Sequence, residues 1–147
     1  MRELPRQLST DELAELFEGR TRFVERLARE EDPLVKARTL VHELPYEEKV
    51  EVLAAHPAIG QRAGLSARSA AEQGGDDDPE VVDELARLNE AYEERHGFRF
   101  VVFVNRRPKS EILDVLRVRI TNSTDQELET ALSELVAIAE DRWRSSA

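Results

Sequence analysis

Apolar residues recur at intervals of three and four along the first third of the chain, the spacing of helices with one buried face. A cap-like stretch, Ser9-Thr10-Asp11-Glu12, precedes apolar positions spread through 13–27, which predicts one or two helices. The pattern restarts at Pro33 and runs to Leu44 before a second proline interrupts it. Another helix is predicted over about 46–55.

The second half of the chain repeats this helical pattern. A short alanine-rich helix is predicted around 66–73, a longer one over 79–96, and two more over about 110–120 and 123–143. Gly97 suits the end of the helix over 79–96 because glycine tolerates the left-handed backbone that closes helices. The sequence therefore predicts an all-α bundle of roughly seven or eight helices.

One segment has the composition of a strand instead. Residues 98–104 read Phe-Arg-Phe-Val-Val-Phe-Val, but no second comparable segment is present for this one to pair with. We therefore predict that 98–104 is buried extended chain.

Composition adds that the chain forms one ordinary domain over 1–147. Hydrophobic residues make up 40% and charged residues 35% of the sequence, and neither a repeat nor a break in composition divides it. No apolar run approaches the roughly 20 residues that a spanning helix needs, and the charged opening lacks the apolar core of a signal peptide. We expect a cytoplasmic protein with no membrane partner.

Charge and cysteine content exclude several classes of function. The chain has no cysteine, which removes disulfides, thiolate catalysis and cysteine-based metal centres. A net charge of -10 without a Lys/Arg stripe argues against nucleic acid as a partner. An anionic ligand would need a locally basic pocket. Phosphate-binding glycine loops and metal motifs are missing, and the run 76–78 of three aspartates is better explained as the start of a helix, so no metal is expected.

Four residues in the middle of the chain are candidates for chemistry. His56 precedes a proline- and glycine-containing segment that could aim its ring into a cleft, although a lone histidine before a helix is the commoner explanation. Ser69, Glu72 and Gln73 share one helical face, where they could converge on a small ligand. Ser69 and Glu72 also match a capping box, and spacing does not decide between these two roles.

Arg119 is a further candidate, in the last turn of its predicted helix. Taken alone, a favourable interaction of this cation with the helix dipole is the better explanation. Its guanidinium could instead clamp a carboxylate through two parallel hydrogen bonds, which would let an acidic protein hold an anion. The two other histidines, His42 and His96, are expected at a helix surface or cap, and Trp143 is expected to pack against the protein.

An ordered set of short motifs resembles one known family. The set consists of His56-Pro57-x-x-Gly60, Ser69-x-x-Glu72-Gln73, Leu88-Asn89-x-x-Tyr92, Gly97-Phe98-x-Phe100, Glu111-Ile112-Leu113 and Arg119-x-x-Asn122. Together, over about 44–143, these motifs resemble the 2-oxo-4-hydroxy-4-carboxy-5-ureidoimidazoline (OHCU) decarboxylases. The chain departs from the family pattern at 20–23, where Arg-Thr-Arg-Phe replaces the usual Ser-Pro-Trp, and Phe23 would then supply the aromatic wall of the pocket.

The resemblance implies an all-α homodimer with a pocket for a small-molecule substrate and no cofactor. By the same resemblance His56 is the catalytic acid/base and Glu72 is its acidic partner. The substrate-binding residues that it implies are Pro57, Ser69, Gln73, Phe100, Val101 and Arg119.

The reaction that the resemblance implies is decarboxylation of OHCU to (S)-allantoin in urate degradation. The substrate carries a C=N bond beside the carbon that loses CO₂, and this bond can act as the electron sink. The protein must then orient the substrate and transfer protons. Two alternatives remain open, namely a related decarboxylase for another ureido or imidazole acid, and a helical interaction module without turnover. A paired acid and base argues against the second alternative.

Overall fold

The structure, a computed structural model, describes residues 3–57 and 78–145. Within these two ranges the protein has seven helices and no strand, which confirms the predicted all-α fold. The helix predicted around 66–73 lies outside the described residues. The helices are α1 (Thr10–Phe17), α2 (Arg22–Leu27), α3 (Pro33–Glu43), α4 (Tyr46–Ala54), α5 (Pro79–His96), α6 (Lys109–Arg119) and α7 (Thr124–Ser145).

Local hydrogen bonds explain where several helices begin. Ser9 and Glu12 form the predicted capping box of α1, since the side chain of each accepts the backbone N–H of the other at 3.0–3.1 Å. Thr21 caps α2 and Asp78 caps α5, each by accepting a backbone N–H with its side chain. Asp78 therefore has the helix-starting role predicted for the aspartate run, and the other two aspartates lie outside the described residues.

Helix α7 organises the core. It packs against α1, α3, α4 and α5, while α6 packs against α5. The inward face of α7 is a stripe of buried residues at helical spacing, as expected for a helix with several neighbours. This stripe includes Leu128, Ala131, Leu132, Leu135, Val136, Ile138 and Ala139. None of the helices in the described ranges is both long and apolar enough to cross a membrane.

The segment 98–104 crosses this core. Helix α5 ends at His96, and Gly97 closes it with a left-handed backbone (φ 81°), so the chain reverses there. The segment that follows has neither helix nor strand in the structure, and five of its seven residues are buried. The prediction that 98–104 is buried and has no strand partner is confirmed. This segment carries the contacts that connect the two parts of the candidate site.

Candidate functional site

His56 lies directly after α4, with its ring inside the protein. Its backbone N–H donates to the carbonyl of Leu53 at 3.2 Å, and its own carbonyl accepts a hydrogen bond from Arg99 Nη1. Only 4% of the residue is exposed, and its Nε2 has no hydrogen-bond partner among the described residues. A buried ring nitrogen without a partner is unfavourable in a resting protein, so Nε2 is a candidate contact for a bound ligand.

The surroundings of His56 keep its ring uncharged. Burial and the positive charges of Arg142 and Arg99 lower the pKa of His56 to about 3, against an opposing effect of Glu18. At neutral pH the imidazole is therefore neutral in the free protein. The neutral ring is the form that can accept a proton from a substrate.

The turn between α1 and α2 brings Glu18 to this side of the molecule. Glu18 ends α1 with a left-handed backbone (φ 64°) and pairs with the buried Arg142 at 3.0 Å, and Arg142 also donates to a backbone carbonyl of α1. The next residue, Gly19, lies so close to α4 that a Cβ there would be 3.2 Å from the Cβ of Ala55. The turn therefore packs against the residue that precedes His56.

Arg119 forms the second part of the site, and the protein holds it on three sides. Its Nε donates to Glu127 Oε1 and its Nη1 donates to the carbonyl of Val101, each at 2.8 Å. Its guanidinium carbon lies 4.6 Å from the centre of the Phe100 ring. The remaining nitrogen, Nη2, is buried with no partner in the part of the chain that the structure describes.

This geometry changes the expectation for Arg119. It is the last residue of α6, as predicted, but its side chain points into the protein rather than serving the helix end alone. Nε and one N–H of Nη1 already have protein partners, so a two-nitrogen clamp would combine Nη2 with the second N–H of Nη1. Nη2 is the nitrogen of Arg119 that has no partner among the described residues.

Glu127, in the first turn of α7, lies at the centre of the polar residues around Arg119. It was not among the site residues predicted from the sequence. It is fully buried and accepts hydrogen bonds from Tyr92 Oη (2.7 Å), Arg119 Nε (2.8 Å) and Asn122 Nδ2 (2.9 Å). An acid in the first turn of a helix is ordinarily explained by the helix dipole. One indication of a buried acid was present in the sequence. Tyr92 and Asn122 are polar members of the motif set, and neither had a predicted partner.

The two remaining histidines differ in environment. His42 is partly exposed on α3, as expected, and its Nδ1 lies 2.7 Å from Glu129. Of the two positions expected for His96, the helix end is correct, since it is the last residue of α5 before Gly97, but a surface position is wrong, because Tyr92 and Phe98 cover its ring. Its Nδ1 lies 2.8 Å from the hydroxyl of Thr124, and burial lowers its pKa.

The structure also tests the predictions made for Phe23 and Trp143. Phe23 is fully buried and packs edge-on against Phe17, with ring centroids 5.5 Å apart, so its described contact lies in the core. Trp143 packs against the core as expected, and its indole N–H donates to the carbonyl of Glu3 at 2.7 Å.

The segment 98–104 connects the two parts of the site. Arg99 contacts the backbone of His56, and the next two residues contact Arg119. Pro57, which follows His56, is partly buried. In the described ranges no group of three His, Asp or Glu side chains is arranged to hold a metal ion. Three predicted site residues lie outside the described residues, so their place in the site stays a prediction: Ser69, Glu72 and Gln73.

Comparison with known proteins gives a family match over nearly the whole chain. A family model described as OHCU decarboxylase matches residues 2–144. A 2-oxo-4-hydroxy-4-carboxy-5-ureidoimidazoline decarboxylase of Haloferax volcanii is 34% identical over 106 residues, which are 69% of this chain and 63% of that protein. The uric acid degradation bifunctional protein PucL of Bacillus subtilis is 28% identical over 152 residues, covering 97% of this chain and 31% of PucL. The matches thus span less than two thirds of either relative.

Two solved structures share the fold. A crystal structure of OHCU decarboxylase in the presence of (S)-allantoin matches with a TM-score of 0.72 at 24% identity, covering 89% of this chain and 94% of the other. A crystal structure of (S)-allantoin synthase matches with a TM-score of 0.68, also at 24% identity, and covers 92% of this chain and 48% of the other. The helical architecture is therefore that of these proteins.

Proposed function

Because the chain belongs to the OHCU decarboxylase family, we propose that it converts OHCU to (S)-allantoin in urate degradation. Three buried side-chain atoms lack partners within the described ranges, His56 Nε2, His96 Nε2 and Arg119 Nη2. The observation that carries this proposal is that two of the three, those of His56 and Arg119, belong to residues predicted for the site. Both residues contact the segment 98–104, His56 through its backbone carbonyl and Arg119 through Nη1. Buried polar groups left open in the free protein are what a site for a small polar substrate requires.

The chemistry of the reaction explains why such groups are needed. The bond between the ring carbon and its carboxylate breaks, CO₂ leaves, and the electron pair moves toward the neighbouring C=N bond, whose nitrogen takes up a proton. The hydroxyl group then loses a proton while the adjacent carbon gains one on a single face. The substrate thus supplies its own electron sink, and the proposed reaction uses no cofactor. The protein contributes orientation and proton transfer.

The proposed roles follow from the charge state of each residue and from the hydrogen-bonding groups that it presents. The neutral ring of His56 accepts the proton of the hydroxyl group, with Glu72 as its acidic partner. Arg119 Nη2 binds an anionic or carbonyl edge of the substrate, which places a cation where an acidic protein needs one. The other residues proposed to bind the ureido and ring amides or to line the pocket are Pro57, Ser69, Gln73, Phe100 and Val101.

The proposal is tested with substrate made freshly by urate oxidase and hydroxyisourate hydrolase, followed by circular dichroism. The protein should accelerate the appearance of the (S)-allantoin signal. His56→Asn should lower this turnover by a factor of about 100 or more, because it removes the proton acceptor, while the helical spectrum persists. His42→Asn is the matched control and should retain the wild-type rate, since the described contacts of His42 are with Glu129 and Ser133 of α7.

Two results would contradict these assignments. A wild-type protein that leaves the spontaneous rate unchanged would overturn the proposed function. Unchanged turnover in His56→Asn would overturn the role of His56 but not the function.

We also propose that the protein is a cytoplasmic homodimer, as the resemblance and the composition suggest. In the part of the chain that the structure describes, three large apolar side chains are exposed and are candidates for an interface: Val35, Tyr46 and Val118. Light scattering after gel filtration should give twice the mass of one chain. Val118→Asp, at the most exposed of the three, should shift the protein toward the monomer if this side chain lies in the interface.

A further inference from the structure

The contacts of Arg119 leave its guanidinium a single orientation. Nε and Nη1 donate to different partners, Glu127 and the carbonyl of Val101, and the planar group lies over Phe100. Rotation of the guanidinium would break both hydrogen bonds at once. The N–H groups of Nη2 therefore point in one fixed direction, and no described residue accepts from them.

Glu127 is in turn held so that it cannot turn away from Arg119. Oε1 accepts from Tyr92 Oη at 2.7 Å and from Arg119 Nε at 2.8 Å, and Oε2 accepts from Asn122 Nδ2 at 2.9 Å. These donors belong to α5, to α6 and to the turn that follows α6. Burial also raises the pKa of Tyr92, so its phenol keeps the proton that it donates.

A purely structural role for the ion pair of Arg119 and Glu127 does not explain the whole arrangement. The other deeply buried arginine, Arg142, uses both terminal nitrogens, with Nη1 on a backbone carbonyl and Nη2 on Glu18. Arg119 is buried to a similar degree, but its Nη2 has no partner among residues 3–57 and 78–145. Structural burial alone gives no reason for this difference, because an open buried donor is unfavourable.

We propose that Glu127, supported by Tyr92, is a positioning residue that aims Arg119 Nη2 at an anionic or carbonyl oxygen of the substrate. The inference rests on the proposed function. Glu127 does not itself touch the substrate, and it acts through the direction that it imposes on the guanidinium. Loss of this direction weakens substrate binding even where the cation remains.

Steady-state kinetics of two variants test the inference on the full chain. Glu127→Gln should raise KM about 30-fold or more while kcat falls less than about tenfold, because binding is lost and chemistry is less affected. Tyr92→Phe keeps the ion pair and the fold, and it should raise KM by about three- to tenfold. Arg119→Ala combined with Glu127→Gln should have a KM no higher than Arg119→Ala alone, since the two residues act as one unit.

The matched control is Glu129→Gln, two residues further along α7. Glu129 pairs with Lys49 at 2.7 Å and is partly exposed, so its loss should leave both kinetic constants unchanged. A lower kcat at wild-type KM in Glu127→Gln is what partial unfolding would produce, and it would overturn the inference if Tyr92→Phe also kept the wild-type KM. A wild-type protein without turnover would instead overturn the proposed function, and the inference with it.

Discussion

At the scale of single residues, the burial of His56 makes stability depend on pH. An unfolded chain carries a histidine with an ordinary pKa of about 6.5, whereas burial and then Arg142 lower the pKa of His56 to about 3 in the folded protein. Between these values the unfolded chain binds a proton that the folded protein does not. As far as His56 decides it, the free energy of unfolding is therefore highest above about pH 6.5 and falls as the pH is lowered toward about 3.

We predict that His56 alone lowers the free energy of unfolding by about 2 kcal/mol between about pH 7.5 and about pH 5. Urea unfolding of His56→Asn at the two pH values should show a pH dependence weaker by this amount, because the titrating ring is gone. His42→Asn, which removes a partly exposed ring, should keep the wild-type dependence. Equal pH dependence in wild type and His56→Asn would show that His56 is not held neutral by the fold.

At the scale of elements, the turn between α1 and α2 positions the end of α4. The backbone N–H of Arg22, the first residue of α2, donates to Glu51 on α4 at 2.8 Å. Gly19 approaches Ala55 so closely that a Cβ at Gly19 would lie 3.2 Å from the methyl group of Ala55. That methyl group is attached directly to the backbone and has no rotamer by which to move aside. A side chain at Gly19 therefore shifts the backbone that leads into His56.

We predict that Gly19→Ala lowers turnover about tenfold, because small displacements of a catalytic group reduce the rate sharply. Adding Ala55→Gly removes the methyl group that the new Cβ at position 19 would approach too closely. The double variant should therefore recover turnover to within about threefold of wild type. The circular dichroism assay measures both variants, and Ala55→Gly alone is the control. A double variant as slow as Gly19→Ala would contradict the steric explanation.

At the scale of the whole molecule, the net charge of the protein has the same sign as the charge of the proposed substrate. The chain carries a net charge of -10, while OHCU carries a carboxylate. Salt screens the long-range repulsion between them, since the Debye length falls from about 30 Å at 0.01 M to about 10 Å at 0.1 M. The proposed short contact of the substrate with the buried Arg119 would be screened much less.

We predict that kcat/KM for OHCU rises about twofold as NaCl is increased from about 10 mM to about 100 mM. Binding of (S)-allantoin, which is uncharged at neutral pH, is the matched control and should not change over this range. Stopped-flow absorbance and calorimetry provide the two measurements. A fall in kcat/KM with added salt would show that local cations dominate the field at the site, contrary to this prediction.

The sequence by itself determined the helices and their ends. Apolar spacing and capping side chains act over three or four residues, and both are visible in the printed order of residues. The capping box of Ser9, the proline that starts α3 and Gly97 at the end of α5 were all predicted, and the structure has each of them. The ordered motifs likewise led to the family and placed Arg119 at the end of its helix.

Only the tertiary structure decided how the polar residues are partnered. Tyr92 and Glu127 are 35 positions apart, and Arg119 and the carbonyl of Val101 are 18 apart, so no local pattern predicts either hydrogen bond. Burial of His96 likewise depends on the chain reversal at Gly97, which folds Phe98 back over its ring. Helical spacing assigns a side chain to a face of its helix, but the packing of separate elements decides which group it contacts. At Arg119 this packing leaves Nη2 without a partner among the described residues.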